Sequence, residues 1–235
     1  YIQMDMYNLK ELVTRLIAGS SIEINPDKFQ NDMTTFASAD DVLTLLVHLG
    51  YLTYDFDTCT VHIPNQEVQK EFINCIEDGG WEPVMDAIRK SEELLAATIR
   101  GEEETVARMI ENAHQENTSI LAYNDENSLA CVIALAYYSA KKNYVVYREL
   151  AGGKGFADMV FVPRKTTQTP AIVVELKWNQ TAEAAITQIK RKQYVESLKD
   201  YRGEVILVGI NYESKELKKD DYKKHSCKIE RITMA

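Results

Sequence analysis

Asp158 opens the apolar segment ADMVFVP, and Glu175 and Lys177 close the next one, AIVVELKW. In a strand, Val173, Glu175 and Lys177 share one face while Ile172, Val174 and Leu176 share the other, so carboxylate and ammonium point the same way from an aliphatic background. Burying either group unpaired costs several kcal/mol. A divalent metal with a water to activate gives such charges a reason to be there. Two carboxylates at neighbouring strand ends suit a hard cation such as Mg²⁺ or Mn²⁺, completed by water and a backbone carbonyl. The metal would lower the pKa of a bound water and neutralise charge on a phosphate under attack. A lysine on the same face as the Glu can orient that water or stabilise the developing negative charge. Glu126, opening a helix upstream, and Gln188, in a helix downstream, complete five positions that can be read together.

The elements that must position these residues follow from periodicity. A helix is predicted over about 125–140, then strands YVVYREL, ADMVFVP and IVVELKW, a long helix TAEAAITQIKRKQYVESLKDY, and strands EVILVGINY and CKIERITM. The order α-β-β-β-α-β with a terminal strand implies an α/β fold, a mixed sheet flanked by helices. Upstream, apolar residues recur at helical spacing from Met4 to Ile17. A second helix runs from Ala39 to about Leu49, with Ser38 or Asp40 as cap, and ends at Gly50. Two short strands around a polar turn follow in GYLTYDFDTCTVHIPN, and Asn65 caps the helix EVQKEFINCIED, which ends near Gly79 and Gly80. This is the outline of a mainly helical, winged-helix-like domain. Such modules read DNA through a basic helix. Here the corresponding segment ADDVLTLLVHLG has no Lys or Arg, which favours packing or protein contact over DNA reading. Two further helices, about 81–99 and 102–114, form a connector that ends in the polar break QENTS. The expected domains are therefore 1–80, 81–119 and 120–235.

The chain has 235 residues, 45% apolar and 27% charged, ordinary values for a globular protein. Its net charge of -9 is unevenly spread. Residues 1–149 carry 11 Lys and Arg against 25 Asp and Glu, whereas residues 150–235 carry 16 against 11. The C-terminal part is thus the one able to approach a polyanion, although a solvated surface rich in lysine gives the same count. Cys59, Cys75, Cys131 and Cys227 have no paired spacing, which argues against a zinc site or a disulfide framework. The four histidines are equally dispersed and receive no catalytic role. No apolar run approaches the length of a membrane span and no signal segment opens the chain, so a soluble, cytoplasmic protein is expected. The chain starts at Tyr1 directly in a helical pattern, as a fragment of a longer protein would.

The segments YNDENSLACVIALAYY, YVVYRELAGGKGFADMVFV, AIVVELKW and AITQIKRKQY, spanning residues 123–194, resemble the PD-(D/E)XK nuclease superfamily, in particular the nuclease-like domain that follows an AAA-ATPase-like module in bacterial proteins. The resemblance implies a restriction-endonuclease-like core and a metal-dependent nuclease acting on nucleic acid, with DNA the expected substrate. The alternative it leaves is a nuclease fold of little or no turnover that binds nucleic acid or protein. It further implies that Asp158, Glu175 and the carbonyl of Leu176 hold Mg²⁺ or Mn²⁺, and that Lys177 is the catalytic lysine. Glu126 would hold a metal-bound water or a second ion, Gln188 would hydrogen-bond near the site, and Tyr194 would contact substrate backbone. Residues 1–80 resemble the tail of the ATPase module, whose ATPase domain would lie N-terminal to this chain as a partner. Ala157 stands where the motif has proline, a position that supplies no ligand.

Each residue also has a structural reading. Glu126 could complement the dipole of its own helix, Asp158 could be a turn residue after Gly155, and Glu175 with Lys177 could be a cross-strand ion pair. Lys190, Arg191 and Lys192 read as a solvated helix face, or as a surface near bound nucleic acid. The glycines of GGKG precede a strand and lack Walker spacing, so they are no nucleotide loop.

Overall fold

Helix ends in the N-terminal part are set by side chains that the sequence displays. The computed structural model describes residues 8–29, 36–79, 81–117, 126–152, 155–165, 169–192, 198, 201–213 and 224–234. Backbone packing divides the chain into two units, Tyr1–Asp86 with Asn117–Tyr123, and Ala87–Glu116 with Asn124–Ala235.

In the first unit, α1 (Leu9–Ile17) buries Leu9, Val13, Leu16 and Ile17 along one stripe. A two-residue strand β1 (Ile22–Glu23) and a 3-10 turn over Pro26–Lys28 lead to α2 (Ala39–His48). Ser38 caps α2 in a capping box with Asp41, which satisfies donors that the first helical turn leaves open. Strands β2 (Thr53–Asp55) and β3 (Thr60–His62) precede α3 (Gln66–Asp78), capped by Asn65 through its bond to the Val68 N–H at 2.9 Å. The three strands form an antiparallel sheet in the order β1-β3-β2, with buried Val61 opposite both Ile22 and Tyr54. Gln69 of α3 is buried and donates to the Ile17 carbonyl at 2.7 Å, closing the end of α1.

The division between the units falls inside α4 (Glu82–Arg100), which α5 (Glu103–Asn117) follows. The second unit is α/β. After α6 (Glu126–Ala136) come β4 (Tyr144–Gly152), β5 (Gly155–Pro163), β6 (Ala171–Trp178), α7 (Ala182–Lys192), β7 (Gly203–Glu213) and β8 (Lys224–Met234). The sheet order is β4-β5-β6-β7-β8, antiparallel throughout except for the parallel pair β6 and β7, which α7 connects. One face packs Val160, Val173, Val205 and Leu207 against Ile186 and Ile189 of α7. The other carries Phe161, whose ring lies 5.4 Å from that of Tyr137, and Tyr137 in turn shares a buried 2.7 Å hydrogen bond with Thr98 of α4. Every residue of β6 except Trp178 is buried, because helices cover both its faces. The described part of the long predicted helix is α7, and Tyr194 lies outside the described residues.

The approach of α7 to the sheet is set at Gly209, opposite Glu175 in the register. A β-carbon there would stand 2.3 Å from the Ala182 carbonyl oxygen and 2.9 Å from the Ala185 β-carbon. Gly209→Ala should therefore push α7 outward and cost roughly 1–3 kcal/mol in urea unfolding; stability equal to that of the parent would contradict this packing.

Candidate active site

The site forms where β5 and β6 part. Their pairing runs from Phe161 and Ile172 to Met159 and Val174. One residue further on, the Asp158 carboxylate takes over from the backbone ladder and accepts the Leu176 N–H at 2.6 Å. The alternation of AIVVELKW works as the sequence indicates: Glu175 follows Val173 on the face that α7 covers, and Lys177 follows Glu175. Glu175 is 2% exposed and Lys177 8% exposed, so both charges sit out of water and need partners.

Those partners are largely each other. Lys177 Nζ donates to Glu175 Oε1 at 2.7 Å and to the Leu176 carbonyl at 3.0 Å. Gln188, one turn from the end of α7, donates through Nε2 to the same Oε1. Glu175 Oε2 is buried and has no hydrogen-bond partner among the described residues. Burial pushes the Glu175 carboxyl up and the neighbouring Asp158 carboxylate adds to the rise, against the pull of Lys177 and Gln188, leaving it at about 7.

Of the sequence-predicted residues, Asp158, Glu175, Leu176, Lys177 and Gln188 are thus brought together. Glu126 is the first residue of α6, and its side chain lies outside the described residues. No group of three or more His, Cys, Asp or Glu among the described residues is placed to hold a metal; the arrangement instead offers two carboxylates and a main-chain carbonyl. Lys190, at the end of α7, forms an ion pair with Glu230. The cysteines are free thiols.

Sequence reading missed two features. Asn211 is buried opposite Lys177 and accepts the Gln180 N–H at 2.9 Å, fixing the turn between β6 and α7; a lone amide in the aliphatic run VILVGINY is the signal by which it could have been found. Behind the site, Trp178, Tyr212 and His225 stand opposite one another on β6, β7 and β8, on the face away from Lys177. His225 Nε2 meets His114 Nδ1 at 2.9 Å, and its Nδ1 meets Glu111 Oε2 at 2.7 Å. Nothing in the local sequence links residues this far apart along the chain.

Two carboxylates and a lysine gathered where the central strands of an α/β core diverge offer oxygen donors of the kind that a hard divalent cation takes. Residues 124–222 match the PD-(D/E)XK nuclease superfamily, and this match suggests a nuclease-type function for the domain. A search of curated proteins finds no match. Among the described residues no helix is long and apolar enough to cross a membrane.

The raised Glu175 pKa has a measurable sign. Between the ordinary carboxyl value of 4.5 and about 7, the folded protein keeps a proton that the unfolded chain releases. Stability should therefore fall as pH rises through that window and level off above it. Melting curves of the metal-free protein should show this slope, and Glu175→Gln should flatten it; identical slopes in the two proteins would contradict the assignment.

Proposed function

We propose that the C-terminal domain hydrolyses phosphodiester bonds in nucleic acid, with DNA the substrate to test first, using Mg²⁺ or Mn²⁺ held by Asp158, Glu175 and the Leu176 carbonyl. The observation that carries this reading is Glu175 Oε2, a buried carboxylate oxygen with no hydrogen-bond partner among the described residues, beside a second carboxylate. Negative charge concentrated in this way is stable when a cation shares it, and oxygen donors suit a hard divalent ion. Such an ion, when bound, supplies an acidified water and neutralises phosphate charge.

The chain's own residues have separate tasks. Gln188 and Lys177 hold Oε1, which orients the carboxylate and leaves Oε2 for the cation. Lys177, kept at the site by Glu175 and the Leu176 carbonyl, is placed to donate to the attacking water or to the charge that develops on the phosphate. Burial under α7 lowers the local dielectric and strengthens both interactions. Glu126, at the start of α6, is assigned to a water of the same site.

The first unit, with its β1-β3-β2 sheet and three helices, is read as a winged-helix-like module. Because α2 has no Lys or Arg, we assign the unit to protein contact, with an ATPase-like module as the expected partner.

Glu175→Ala and Lys177→Ala should each lower Mn²⁺-dependent DNA cleavage roughly a hundred-fold or more with the fold intact by circular dichroism; parent-level cleavage in either variant would sink the reading. Calorimetry adds a test independent of turnover. Mn²⁺ affinity should rise as pH passes through about 7, where Glu175 loses its proton, and a pH-independent affinity would exclude Glu175 as a ligand.

A further inference from the structure

Two large apolar side chains in the described part of the second unit are strongly exposed, Val145 at 37% and Tyr147 at 43%. Both belong to β4, at one edge of the sheet. The register fixes which face they occupy. Val145 lies opposite Val162, Tyr147 opposite Val160, and Val160 opposite Val173. Directly opposed residues share a face, as do residues two apart along a strand. Tyr147 and Val145 therefore stand on the face that carries Asp158, Glu175 and Lys177. On the other face, their neighbour Tyr144 is buried at 1% exposure.

The rest of the sheet makes this exposure unusual. α7 packs on β6, β7 and β8. The opposite edge, β8, carries Lys228, Glu230 and Arg231, paired with Glu103, Lys190 and Glu204, and charge of this kind is how sheets keep an edge from sticking. On β4 the stretch Tyr144–Tyr147 has no charged residue, and the strand's charges, Arg148 and Glu149, follow it. The C-terminal domain that contains β4, residues 120–235, carries 19 Lys and Arg against 14 Asp and Glu, a balance that favours a polyanion as the occupant of exposed Val145 and Tyr147.

We infer that Tyr147, backed by Val145, is a stacking platform for an unpaired base next to the scissile phosphate, so that the substrate is nucleic acid with single-stranded character at the cut. A duplex hides its base faces and offers phosphates and groove edges, for which Lys and Arg would be the matching residues. A solvent-facing aromatic ring matches an exposed base face. Tyr147 pairs with Val160, so Asp158 is its diagonal neighbour on β5, a step of about 7–8 Å. This inference rests on the nuclease reading and narrows its substrate.

The test uses the full chain with a fluorescein-labelled single-stranded thymidine oligonucleotide and a blunt duplex of equal length, read by anisotropy. The single strand should bind more tightly than the duplex. Tyr147→Ala should weaken single-strand binding about ten-fold or more without changing duplex binding, and Tyr147→Phe, which keeps the ring, should bind as the parent does. Equal binding by the parent and Tyr147→Ala, or a duplex bound as tightly as the single strand, would overturn the platform. So would a dimer that dissociates in Tyr147→Ala with single-strand binding unchanged, which would give this edge to a second copy of the chain. The two readings fail separately. Single-strand cleavage lost in Glu175→Ala but untouched in Tyr147→Ala removes the platform and keeps the phosphodiesterase. Single-strand binding that depends on Tyr147, with no cleavage of any substrate, does the reverse.

Discussion

The closeness of α7 to the sheet governs the site. The helix rests on β7 where Gly209 has no side chain, and Gly209 lies beside Glu175 in the parallel register. A larger residue would lift the helix, and Gln188 would leave Glu175 with it. The carboxylate would then lose a donor while remaining buried, which is the costly way to break a polar contact. A packing requirement in the core and a hydrogen bond at the site are therefore one constraint seen from two ends.

Electrostatics explains why the arrangement is specific. A lysine and a glutamate of the same strand could form a simple ion pair, but this pair uses only one carboxylate oxygen and shares it with Gln188. Asp158 works against it, since a second carboxylate raises the cost of ionising the first. A pair selected only for stability would not be placed beside a repulsive neighbour, and replacing it with apolar residues would be the cheaper solution.

Much of this was legible in the sequence, for reasons that can be named. Period-two alternation put Glu175 and Lys177 on one face because strands admit no other arrangement. Asn65 and Gly50 announced helix ends through local bonding and backbone freedom, and the α/β order followed from the alternation of elements. The importance of Gly209 was not legible, because an in-strand glycine has no meaning until a helix is laid over it. Gln188 could be placed in a helix, but its partner depended on how that helix is docked. The strand β1 has two residues, too short for any periodicity, and it exists because Val61 gives it a place to pair. The histidine cluster is a product of tertiary folding, and pattern reading along the chain does not reach it.

That cluster has a consequence for tautomers. Glu111 Oε2 accepts both the backbone N–H of His225 and its ring Nδ1 hydrogen, each at 2.7 Å. With Nδ1 committed as the donor, neutral His225 can only accept at Nε2, so His114 must carry its hydrogen on Nδ1. With both rings neutral, the hydrogen bonds run in one direction, from His114 of α5 to His225 of β8 and on to Glu111 of α5. Strand β8 is thereby keyed to the helix in angle as well as in position. The row of rings continues from His225 to Tyr212 at 5.1 Å and on to Trp178 at 4.3 Å, so the histidine pair and the strand that carries Lys177 share one packed row on the face away from the site.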